Sequence, residues 1–229
     1  MKNVCIIGVG GAAANMIKQY PFDCLSAFHD YAQNFKIKYG YISSSLEEIH
    51  SIQGLVEYPK KEDLYESVID RIVKERIQYI AIGEKTCKGL HCSGDIENGK
   101  KAFAESKEKI QDFLKNLTLN SDLVITITGI GGGCGTAVTP LINEYIRSLK
   151  IPIVSIVQRP FKFEGKKRRE DEFKSNIDIF KKSANKVIVA DAENVFNTIP
   201  NEKRILKLFY SCDIYIKEII EKELIKTIE

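Results

Sequence analysis

The chain has 229 residues, a net charge of +3, and apolar and charged fractions of 44% and 28%. That length suits one large α/β domain or at most two small ones, and the composition is that of an ordinary globular protein. A charge so close to neutral argues against nucleic acid as partner, and no apolar run approaches the roughly 18 residues that a membrane helix needs.

Residues 3–8 (NVCIIG) form a nearly continuous apolar run, a strand by pattern. It passes into Gly8-x-Gly10-x-x-Ala13, glycines that open a helix. Taken alone, this satisfies the dinucleotide fingerprint, which also wants an acidic residue at the end of the second strand. The second strand, 37–42, ends instead in Ser43-Ser44-Ser45, so an NAD-dependent oxidoreductase stays only a remote alternative. Residues 18–36 are rich in aromatics and read as packing over the sheet edge. Beyond Pro59, the pattern predicts a helix over 61–73, a strand over 78–82, a loop over 86–99 and one long helix over 100–117.

The most informative stretch follows. A β-branched run at 123–127 breaks into five glycines between Gly129 and Gly135, and a helical pattern then begins. Strand, glycine loop and helix start together present backbone N–H groups to an anion. A Walker loop would carry a Lys followed by Ser or Thr after its last glycine. Here Thr136 and Ala137 follow Gly135, so this is a phosphate loop of another kind. A strand over 151–157, a loop over 158–165, a charged helix to 183 and a strand over 186–190 come next. The closing segment, 202–228, reads as one long helix. Ile205, Leu208, Phe209, Cys212, Ile216, Ile219 and Ile220 form its buried stripe, and its outer side is expected to be polar. Strands alternating with helices predict a Rossmann-like, mainly parallel sheet with helices on both faces, in a single domain over 1–229.

The six cysteines lack CxxC spacing and several lie in apolar settings, which predicts reduced thiols and a cytoplasmic protein. Three unpaired histidines give no reason to expect a zinc site, and the N-terminus lacks the features of a signal peptide.

The glycine loop, Gly131-Gly132-Gly133-Cys134-Gly135-Thr136-Ala137, resembles the signature Gly-Gly-Gly-Thr-Gly-Thr-Gly of the FtsZ/tubulin family. Pro160-Phe-Lys-Phe-Glu-Gly-Lys-Lys-Arg168 is similar to that family's Pro-Phe-x-Phe-Glu-Gly-x-x-Arg, and the loops follow one another in family order. The resemblance implies a guanine nucleotide, GTP or GDP, and allows Mg beside it. Its phosphates would be held by the first loop (Gly8, Gly10, Gly11, Ala12, Asn15), by the signature residues Gly131 to Thr136, and by a third loop within 89–99. Glu164 and Arg168 would serve the ribose and guanine region. Phe209 would stack on the base, as aromatic faces do, and Asp213 would read the guanine edge. Asp191 stands where the family has an Asn after the last strand. The implied roles are a weak or partner-dependent GTPase linked to cell division or a cytoskeletal assembly, self-associating or working with a full-length FtsZ-like partner. The alternative is a non-hydrolysing nucleotide-dependent module.

The chain also departs from the family. Ser43–Ser45 replaces Asn-Thr-Asp, alanines stand at 12, 13 and 14, and His91 and Cys92 replace Gly and Ala. Glu47 and Glu48, the nearest acids to the serine loop, are expected to face solvent. The family's acidic loop and second domain have no counterpart in these residues, which predicts a naturally one-domain protein with slow turnover. Cys134, at a helix N-terminus, is expected to have a lowered pKa.

Overall fold

A computed structural model describes residues 1–17, 34–57, 77–199 and 201–227. The aromatic stretch up to residue 33 and the helix expected over 61–73 lie outside the described residues. In β1 (Lys2–Val9), Val4 and Ile6 face one side of the sheet while Cys5, Ile7 and Val9 face the other, and all five are buried. A strand that is apolar on both faces belongs inside a parallel sheet covered by helices.

The sheet has the order β3-β2-β1-β4-β5-β6, with β2 Phe35–Ser43, β3 Ile77–Ala81, β4 Leu123–Gly129, β5 Ile153–Arg159 and β6 Lys186–Asp191. Every neighbouring pair is parallel. One face is covered by α1 (residues 11–17), α2 (Leu46–Glu57) and the closing helix, which bring Ile17, Ile52, Ile216 and Ile220 onto the strands. The opposite face carries α4 (Ile96–Glu105), α5 (Lys107–Leu117) and α6 (Gly133–Ser148), preceded by the short α3 (Glu84–Cys87). Among the described residues, the remaining α-helices are α7 (Phe173–Ser183), α8 (Ala192–Thr198) and the closing α9 (Ile205–Ile225). No helix among the described residues is long and apolar enough to cross a membrane.

A buried polar network ties α6 down. The Thr126 hydroxyl donates to Asn143 Oδ1 at 3.0 Å, and the Asn143 amide donates to the hydroxyls of Ser155 and Ser183 at 3.4 and 3.3 Å. This joins β4, β5, α6 and α7, and it fixes where the glycine loop enters its helix.

The structure corrects four expectations. The single helix over 100–117 is two helices, because Ser106 leaves helical geometry and its hydroxyl accepts the Gly83 N–H at 2.9 Å. The 86–99 loop is shorter than expected, since α4 starts at Ile96 with Asp95 accepting from the N–H groups of Glu97 and Asn98. The charged helix toward 183 is built in pieces, a 3₁₀ turn at Lys162–Glu164 and a π-helical turn at Lys167–Glu172 ahead of α7. In α9 the buried stripe begins at Leu208 rather than Ile205, and the outer side is not uniformly polar. Ile205, Leu206, Tyr210 and Ile214 are exposed there, Leu206 at 84%.

Candidate functional site

Strand register brings the loops together. Val9 of β1 lies opposite Thr128 of β4 and Ile42 of β2, and Gly129 lies opposite Gln158 of β5. The chain leaves β1 toward β2 on one side, and leaves β4 toward β5 on the other. The crevice between such diverging connections is where open α/β sheets bind ligands. A cavity of about 420 Å³ occupies it, within the range of small-molecule sites.

Two glycines shape one part of its wall by adopting conformations that other residues resist. Gly10 turns the chain out of β1 with φ +73°, and a Cβ there would meet the Gly135 nitrogen at 3.0 Å. Gly131 has φ +102° and lies directly under Arg168. Gly132, the N-cap of α6, has no side chain to cap the helix, and N–H groups of a first helical turn left uncapped suit an anion. Of the three alanines, only Ala12 lines the cavity; Ala13 and Ala14 pack into the core.

A second group of lining residues comes from the loop after β5 and from α9. Glu164 Oε1 accepts the Phe161 N–H at 2.9 Å, and Glu164 Oε2 lies 3.9 Å from Arg168. Phe209 lines the cavity and also packs edge-on against Phe161 and Phe163, at 5.7 and 6.3 Å between ring centroids. Asp213 sits one helical turn further along, where burial pushes its carboxyl up to about 7.

Thirteen of the residues singled out from the sequence line this one cavity: Gly10, Gly11, Ala12 and Asn15, the run Gly131 to Gly135, and Glu164, Arg168, Phe209 and Asp213. Gly8, Thr136 and Asp191 are not among the lining residues. Gly8 lies within β1, where a Cβ would meet Ile17 at 2.5 Å, so it serves helix-to-strand packing. Thr136 braces the loop from behind, its hydroxyl accepting the Gly131 N–H at 3.1 Å. Asp191 caps α8 and takes bonds from Arg169 at 2.9 and 3.1 Å. Burial works against its charge, but the Arg169 bonds outweigh this and hold the carboxyl below its usual range.

Glu48 is the main correction in the wall. Expected to face solvent, it lines the cavity instead. Its Oε2 accepts from the Tyr41 hydroxyl at 2.7 Å and the Ser43 hydroxyl at 2.5 Å, and its Oε1 lies 3.3 Å from His91 Nδ1. Pro160, which opens the motif ending at Arg168, also lines the cavity, as does Gln158, which was not singled out from the sequence. Glu47 is exposed, as expected.

The thiols reverse the expectation for Cys134. Its hydrogen bond with Cys92, followed by burial, raises Cys134 well above the ordinary thiol value. Cys92 receives that bond and is brought down to about 6.

The model of the Tubulin/FtsZ family, GTPase domain, matches residues 3–200. Among solved structures, an empty FtsZ dimer from M. jannaschii is similar at 23% identity and a TM-score of 0.72, covering 96% of this chain and 54% of that one. CetZ2 from Haloferax volcanii, in a GTPgS-bound protofilament, is similar at 16% identity and a TM-score of 0.74, covering 98% and 58%. CetZ1 from the same organism, a GDP-bound monomer, is similar at 16% identity and a TM-score of 0.72, covering 95% and 58%. At these identities the likeness speaks to the fold, and the chain spans 54% to 58% of the length of these proteins.

Proposed function

Because the chain belongs to the Tubulin/FtsZ family, matching its GTPase domain, we propose that it binds a guanine nucleotide in the cavity over the ends of β1 and β4. One observation carries this reading: the cavity joins two glycine loops and an uncapped helix start to Arg168, Phe209 and Asp213. The loops suit phosphates, an aromatic face suits a purine, and an ionised carboxyl accepts the two N–H donors that guanine has and adenine lacks. The oxidoreductase alternative is left without support, since β2 ends in serines with no acid for a ribose.

Turnover by the 229-residue chain is proposed to be slow. Phosphoryl transfer depends on a group positioned to orient the attacking water. Glu48 is the wall carboxylate closest to the serine loop, and it is already held by Tyr41 and Ser43. That engagement favours a nucleotide-dependent binding module over a fast GTPase. A divalent ion accompanying the phosphates would find Glu48 as its protein carboxylate. Self-association into filaments, a full-length FtsZ-like partner and a role in cell division are proposals of the same kind.

The test is calorimetry of the full chain with GDP, GTP, ADP and NAD, alongside identification of any nucleotide released on denaturation. Preference for the guanine nucleotides is expected, and equal affinity for ADP or NAD would overturn the reading. Phosphate release followed against protein concentration should stay slow and flat; a steep cooperative rise would sink the slow-turnover proposal alone.

A further inference from the structure

Three cysteines share one place beside the cavity, and nucleotide binding as proposed has no use for their thiols. Cys87 ends α3, Cys92 stands on the loop after it, and Cys134 lies in the first turn of α6. Positive φ at Lys88 and Gly89 turns the chain back, so the Sγ atoms of Cys87 and Cys92 are 3.4 Å apart. The Ser44 hydroxyl lies 3.3 Å from the Cys92 Sγ, and the Cys134 thiol bonds to it as well. Cys92 and Cys134 line the cavity, which gives a small solute a way to an otherwise buried sulfur.

We propose that Cys92 is a peroxide-reactive thiol of the cavity wall, and that Cys87 resolves its oxidised form into a Cys87–Cys92 disulfide. The Cys92 thiolate attacks one oxygen of hydrogen peroxide or an alkyl hydroperoxide. An S–O bond forms, the O–O bond breaks, and the departing oxide is protonated to water or alcohol. Cys92 is oxidised by two electrons to a sulfenic acid, and the peroxide is reduced by two. The Cys87 sulfur then attacks the Cys92 sulfur, its proton passing to the departing hydroxide. The S–S bond forms, the S–OH bond breaks, and water leaves. With hydrogen peroxide, two thiols yield one disulfide and two waters.

The surroundings divide these roles. Hydrogen bonds from Cys134 and Ser44 favour the anionic form of Cys92 over the opposing effect of burial, which suits the attacking sulfur. Burial pushes Cys87 up to about 11, so it remains a thiol until the second step. Cys5 and Cys212 are buried elsewhere, and burial raises both, which sets them apart from this group.

The experiment uses the reduced, nucleotide-free full chain, so it stands whether or not guanine nucleotide binds. The chain is treated with stoichiometric hydrogen peroxide, the remaining thiols are alkylated, and peptides are mapped without reduction. A Cys87–Cys92 link is expected, and Cys87→Ser should leave a dimedone adduct on Cys92. A Cys92–Cys134 link, or Cys92 unmodified while other thiols react, would overturn the proposal. Should Cys87→Ser fail to fold, the wild-type chain still decides the matter. Alkylation of Cys92 should be half-maximal near pH 6, against about 8.5 for an ordinary thiol, and an ordinary midpoint would overturn its role as the attacking sulfur.

Discussion

Asp213 gives the proposed site its own pH dependence. Burial raises its carboxyl to about 7, so the folded chain holds this proton more tightly than the unfolded chain does. Ionising it therefore costs the free protein stability as pH rises from the ordinary carboxylate range toward 7. Guanine needs the ionised form as acceptor, so GDP affinity should increase as pH rises toward about 7, by up to about tenfold per unit below it. Calorimetry across that range checks this, and Asp213→Asn should flatten the profile. Asp213→Ala, which removes the acceptor altogether, should reduce the preference for GDP over ADP by on the order of 1–3 kcal/mol, as expected for a bond to a charged group. An unchanged ratio would remove Asp213 from the site. Gly131→Ala tests the loop itself. With φ +102° and the Arg168 Cβ 3.0 Å from the new methyl, it should cost about 1–2 kcal/mol, read as a lower Tm, and it should weaken nucleotide binding by displacing Arg168.

At the scale of elements, α6 is positioned by polar bonds as much as by apolar packing. Asn143→Ala removes the amide shared by Thr126, Ser155 and Ser183 and leaves a small void. A loss of about 1–3 kcal/mol is expected from the unpaired buried groups, measurable by urea unfolding; no change would mean that water replaces the amide. The strands could be read from the sequence to within about two residues, most plainly β1 and β4, where burial on both faces makes them apolar runs. The order of the glycine loops was equally legible, since glycine and its flanking strand are local signals. What escaped were features set by distant partners. Ser106 breaks a helix by bonding Gly83, 23 residues away. Glu48 turns inward because Tyr41 and Ser43 of β2 offer it hydroxyls. Cys134 sits at a helix start, as the local pattern said, but a thiol from another loop reverses its expected shift.

For the molecule as a whole, the cavity gathers residues from both halves of the sheet. Gly10 and Gly11 follow β1, the run Gly131 to Gly135 follows β4, Glu164 and Arg168 follow β5, and Phe209 and Asp213 come from the closing helix. A ligand touching all of them binds only the folded chain, so it must stabilise that chain by mass action. At about a hundred times its Kd, GDP should contribute about 2.7 kcal/mol. For a domain of this size each kcal/mol moves Tm by roughly 2–4 °C, which gives a rise of about 5–11 °C. ADP at the same concentration should give a much smaller rise, since it lacks the donors for Asp213, and Asp213→Ala should shrink the difference between the two. Thermal scans of the full chain with each nucleotide, at a fixed Mg concentration and a pH above the Asp213 value of about 7, read this directly. Equal shifts from GDP and ADP would mean that phosphates alone are recognised, and that Phe209 and Asp213 belong to the packing of the closing helix rather than to a base.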